Sequence, residues 1–183
     1  ATWKPKPSPT YKAVDSVALD PLGGRLLIGC KDKTAKIFDL ATGQHVLDLG
    51  HAGYVTSARF TPDGRYILTA SLDGAVRLFT RAGEEVARLL GQGAPVTALA
   101  MSAKADRAWS ADGEGNLRTW DLSAPTAFAP AFTMAGAWSC VFSPDGTRIG
   151  FGTNAKVIQV RDARTLAITA TSEPFGSLVV DVA

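Results

Sequence analysis

The sequence predicts an all-β chain built from repeated four-stranded antiparallel sheets, and three observations carry that prediction. Asp20–Asp39, Thr61–Thr80, Ser102–Asp121 and Ser143–Asp162 align without gaps at an offset of 41 residues. Within each block, short apolar runs are broken by Pro, Gly and Asp turn residues every eight to twelve positions. No stretch shows the 3.6-residue apolar period of an amphipathic helix. A fixed period of this length marks a repeat architecture, in which each unit buries its apolar face against the next.

Each unit opens with an apolar strand: Val14 to Leu19, Val55 to Phe60, Val96 to Met101 and Ala137 to Phe142. A reverse turn follows, with Pro21, Pro62 and Pro144 two residues ahead of Gly23, Gly64 and Gly146. Proline presets φ in such a turn and glycine supplies a positive φ. The third unit departs, with Ala103 and Ala105 in those places. A second strand such as Tyr66 to Ala70 leads into a polar turn (Lys31-Asp32-Lys33, Leu72-Asp73-Gly74), and a third strand ends at Phe38, Phe79, Trp120 and Arg161. A fourth strand is fainter, at His45 to Leu49, Glu85 to Leu90, Ala127 to Phe132 and Leu166 to Thr171.

The blades are therefore expected at about 13–50, 54–91, 95–133 and 136–172, with the first strand of a fifth at 177–183. Residues 1–12 form a Pro/Lys-rich lead-in that favours extended polyproline II backbone, read as a linker arm. A leftover fifth strand has no slot in a ring of four and would be an unpaired edge. Continuation of the repeats on a longer chain is therefore favoured over pairing of two copies as a homodimer, and over closure by four units alone.

The sequence resembles the WD-repeat β-propeller family, whose units run 40–45 residues with a Gly-His opening and a Trp-Asp ending. Trp120-Asp121 is that dipeptide, Phe38-Asp39 and Arg161-Asp162 keep the Asp, Phe79-Thr80 keeps an aromatic, and Gly50-His51 is the Gly-His. The resemblance implies rings of seven or eight blades, and within a blade a hydrogen-bonded set of His, strand hydroxyl, turn Asp and Trp. Carried over, the second blade would use His51, Ser71 (or Thr69) and Asp73, with Phe79 at the Trp place; the third has Trp120 and Asp121 but Gln92 at the His place. No blade has the full set, so apolar packing must carry more of the stability.

Composition narrows the function. Lys+Arg 19 against Asp+Glu 17, with no basic run, makes nucleic acid a poor partner. No apolar run reaches the length of a membrane-spanning helix. Cys30 and Cys140 lack metal-ligand spacing and read as small core residues, which leans towards a reducing, cytoplasmic compartment. Ser110-Ala111-Asp112-Gly113-Glu114-Gly115-Asn116 has oxygens at alternate places, yet it aligns with the second turn of the other units and reads as a turn, not a calcium loop. No nucleophile elbow, phosphate-cradling loop or metal-ligating pair is present, so no catalytic residue, metal or cofactor is expected.

A protein-binding scaffold is the expected function, with other proteins as partners. The second-to-third-strand turns and between-blade loops share one rim, which would carry His51, Tyr54, Asp73, Arg77, Gln92, Glu114, Arg118, Trp138 and Lys156. Two other readings stand beside it. One is an enzyme or ligand sensor with a channel site at Arg59, the charged residue in a column of Ala18, Ala100 and Val141; the other is a structural subunit of a larger assembly.

Overall fold

In a computed structural model, residues 13–89, 93–122, 132–133, 137–153, 155–165 and 167–177 are described, with backbone alone for 132, 133, 137 and 138. Sixteen strands and no helix occur among them. They form four antiparallel sheets, each ordered as its strands occur in the chain. The first sheet is β1 (Val14–Leu19), β2 (Arg25–Cys30), β3 (Thr34–Asp39) and β4 (His45–Gly50). The second is β5 (Val55–Phe60), β6 (Tyr66–Ser71), β7 (Val76–Thr80) and β8 (Glu85–Leu89). The third is β9 (Val96–Met101), β10 (Arg107–Asp112), β11 (Asn116–Asp121) and β12 (Phe132–Thr133). The fourth is β13 (Ala137–Phe142), β14 (Arg148–Thr153), β15 (Ile158–Asp162) and β16 (Ile168–Thr171).

The second strands repeat at the 41-residue offset without drift, because they carry most of each sheet's burial: β6 is buried at every position but its first. Fourth strands are exposed and loosely constrained; β16 is exposed throughout. Of the expected third-sheet strand at 127–132, only Phe132 falls among the described residues.

The chain divides into two compact units, 1–90 and 91–183, with two sheets in each. In the first unit β5 lies against β1 and β2, and Leu27, Ile37 and Leu49 of the first sheet pack on Val55, Phe60, Ile67 and Phe79 of the second. In the second unit Trp109 and Leu117 pack on Ile149 and Phe151. Cys30 and Cys140 are both buried.

The turn after the first strand is the same in all four sheets. An amide at Asp20, Thr61, Ser102 or Ser143 bonds the carbonyl five residues on, and an amide at Gly23, Gly64, Ala105 or Gly146 bonds back. Ala105 departs in residue type but not in conformation: its φ is +57° where Gly64 has +67°. The second turn behaves likewise, with Lys33 (φ 73°) and Lys156 (φ 61°) in the left-handed conformation that Gly74 and Gly115 adopt elsewhere.

Candidate functional site

Within each sheet, the residues that the sequence singles out lie on or beside the second turn and the loop entering the sheet. His51 follows β4. Its Nε2 lies 2.8 Å from Thr69 Oγ1 and its Nδ1 2.9 Å from the Leu49 carbonyl, with the Phe79 ring edge-on at 5.9 Å. A carbonyl only accepts, so Nδ1 holds the proton and the Thr69 hydroxyl donates to Nε2. Burial, seconded by the Arg77 charge, lowers the His51 pKa to about 4. The ring is neutral at pH 7.

Asp73 does not bond His51, as the family pattern had implied; the Leu49 carbonyl takes Nδ1 instead. Asp73 accepts from the amides of Ala52 and Ala75 and from both terminal nitrogens of Arg77, at 3.2 and 2.8 Å. Burial alone would raise this carboxyl, but the Arg77 hydrogen bonds, the Ala52 and Ala75 amides and the Arg77 charge together outweigh it and hold the pKa well below the carboxylate range. Ser71 serves the turn by accepting from the Asp73 amide, so the hydroxyl that meets His51 is Thr69. Arg77, expected on the open rim, is 4% exposed: it points inward onto Asp73, with Glu85 3.7 Å from its Nε. A bidentate guanidinium–carboxylate pair of this kind holds geometry better than a lysine contact.

The first sheet builds the same set from Asp32, Lys36 and Asp48, with Lys36 Nζ 3.2 Å from each carboxylate. The third sheet changes it. Asp112, wholly buried, accepts from the amides of Glu114 and Asn116 and from Asn116 Nδ2, which makes the calcium-like stretch a closed turn. Glu114 is exposed and Arg118 half-buried. Trp120 Nε1 donates to Ser110 Oγ at 2.7 Å, in the column that Thr69 fills one sheet earlier. The fourth sheet has Ala155 and Gln159 where the others place acid and cation.

The Asp of the Trp-Asp pattern has a turn role. Asp39 and Asp162 accept from the amide and hydroxyl of Thr42 and Thr165. Asp121 is exposed. Of the remaining rim residues, Tyr54 is exposed at 40% and Lys156 is exposed. Gln92 and the Trp138 side chain lie outside the described residues. Arg59 is exposed on β5 and meets no polar side chain among the described residues. No group of three or more His, Cys, Asp or Glu among the described residues is placed to hold a metal.

Known proteins resemble this chain in the same repeats. The WD domain, G-beta repeat family matches residues 6–39 and 43–80. The chain is a WD-repeat protein. It is 31% identical over 150 residues to pre-mRNA-processing factor 19 homolog 2 of Arabidopsis thaliana, covering 78% of this chain and 29% of that one. It is 28% identical over 137 residues to the serine-threonine kinase receptor-associated protein of Gallus gallus, covering 74% and 39%. With WD repeat-containing protein 1 of Rattus norvegicus it shares 31% over 104 residues, 54% and 17%. The WD-repeat chain thus spans less than two-fifths of these relatives' length.

One feature lies at the opposite end of the WD blades, where the first and third turns gather, and reading the rim alone misses it. In the second unit a cleft of about 520 Å³ opens between the third and fourth blades, over Trp109. The equivalent place in the first unit is filled: Leu22 packs on Gly64, and the Arg81 guanidinium reaches the Asp20 carboxylate and the Gly64 carbonyl. Two repeats on, Lys104 stands for Leu22, Ser102 for Asp20 and Ala163 for Arg81. Those columns were the signal in the sequence.

Proposed function

We propose that this chain is a non-catalytic platform for protein partners, built on WD blades. The observation that carries it is how the groups capable of chemistry are employed. Both His51 nitrogens are engaged and the ring is neutral, so it has neither a free base nor a labile proton to offer. Asp73 with Arg77, and Asp32 with Lys36, lock the turns. What the second turns and the loops entering them present to solvent is Tyr54, Glu114 and Lys156, an aromatic and two charges, which suits recognition. The names of two relatives, a kinase receptor-associated protein and a guanine nucleotide-binding protein subunit beta, also describe proteins that associate with others.

The test immobilises the chain, measures saturable binding of extract proteins by mass spectrometry, and repeats this with Tyr54→Ala, Glu114→Lys and Lys156→Glu. At least one partner is expected to be lost several-fold from a variant whose melting is unchanged. Binding that no rim variant alters removes these residues from the platform, and substrate turnover by the purified chain would overturn the reading altogether.

A further inference from the structure

We infer that the cleft between the third and fourth blades is a docking site for an acidic side chain of a partner protein. This rests on the platform reading and adds the chemistry of one contact. The cleft is open because the residues that fill its counterpart are replaced, and Lys104 and Arg164 bring new donors to it where the first unit has Leu22 and Ala82. In the first unit Arg25 donates to the Arg81 carbonyl at 3.0 Å, and Arg81 meets Asp20. In the second unit Arg107 takes the place of Arg25, and it forms no ion pair or side-chain hydrogen bond among the described residues. Lys104 and Arg164, both exposed on the cleft, likewise form no side-chain hydrogen bond or close ion pair there, the Arg164 charge acting on Asp162 from a distance. Trp109 is 2% exposed and lines the cleft, and its indole N–H meets no acceptor.

The carboxylates in the lining are already employed. Asp106 accepts from Ser102 Oγ at 2.6 Å, Asp145 from Ser143 Oγ and from the amide and hydroxyl of Thr147, and Asp162 from the amides of Arg164 and Thr165. These carboxylates keep their charge and balance the three cations of the lining, while the donors without a protein acceptor are two solvated guanidiniums, an ammonium and the buried Trp109 indole N–H. Their complement is an acceptor with negative charge. A glutamate or aspartate side chain fits the cleft, and Arg107 can grip it through both terminal nitrogens.

The experiment titrates the full chain with a fluorescein-labelled peptide, Ala-Asp-Glu-Asp-Glu-Ala, and with its Lys counterpart, by anisotropy at low and moderate salt. The acidic peptide is expected to bind, more weakly as salt rises, and to bind about tenfold more weakly to Arg107→Gln, the loss of one charge-assisted contact. Lys104→Leu with Ala163→Leu, which refills the cleft with apolar side chains, is expected to remove binding while the melt is kept. Tryptophan emission should change on binding in the parent and not in Trp109→Phe. Preference for the Lys peptide, equal affinity in Arg107→Gln, or no binding by the folded parent overturns the assignment. Partner capture by Arg107→Gln is measured alongside: capture retained there while the peptide result fails removes the cleft alone and leaves the platform standing.

Discussion

Three residues sit in a backbone conformation their type resists. Ala105, Lys33 and Lys156 have φ of 57°, 73° and 61° at turn positions where sibling blades use glycine. A Cβ there crowds the following carbonyl and costs about 1 kcal/mol per residue. Glycine removes that strain but loosens the unfolded chain, so each of Ala105→Gly, Lys33→Gly and Lys156→Gly is expected to gain about 0.5 kcal/mol. Urea midpoints check this, and a loss at any of the three would mean that its turn is not strained. His51 gives a pH signature. The unfolded chain protonates this histidine near 6.5 while the folded site resists to about 4. Protons then bind the unfolded state preferentially, so stability is whole above pH 6.5 and falls as pH drops through that window, by at most about 3 kcal/mol. His51→Gln should flatten that slope; parallel pH profiles of parent and variant would sink the account.

At the scale of the element, the Arg81–Asp20 clamp ties the third turn of the second blade to the first turn of the first. The Asp20 side chain is fully buried, so Arg81→Ala leaves an unpaired buried carboxylate and is expected to cost about 3 kcal/mol. Adding Asp20→Ser reproduces the pair found two repeats on, Ser102 and Ala163, and should recover most of the loss. Additive losses in this double-mutant cycle would show that the pair is not coupled. The strands themselves were legible because a β-strand buried on both faces tolerates little drift, and the second strands hold the offset for that reason. Fourth strands were faint because β4, β8 and β16 are largely exposed and few positions in them are constrained. Which hydroxyl meets His51 was open between Thr69 and Ser71, since residues two apart share a face of a strand. The column shared with Ser110 separates them, and so do the coordinates. The cleft depends on residues 60 positions apart that meet only once two sheets stack, so no local motif announces it.

For the whole molecule, the surface of the first blade that faces away from the second sets the behaviour in solution. Ser16 and Ala18 of β1 turn towards the second blade, where the Ser16 hydroxyl accepts from the Ala58 amide and Ala18 packs on the core. Their neighbours Val17 and Leu19 are left 64% and 67% exposed, beside an exposed Val14. Propeller blades cover such a face with the preceding blade, and an uncovered apolar strand at a sheet edge invites another chain. The isolated 183-residue chain is therefore expected to associate with rising concentration, its light-scattering mass climbing above 19.2 kDa. Val17→Lys with Leu19→Lys places charge on that face without touching the core, since neither side chain belongs to it. The mass should return to 19.2 kDa with less than about 0.5 kcal/mol change in stability, as for surface substitutions in general. A variant that still associates would move the contact elsewhere, and one that unfolds would show that β1 is held by its outward side chains after all.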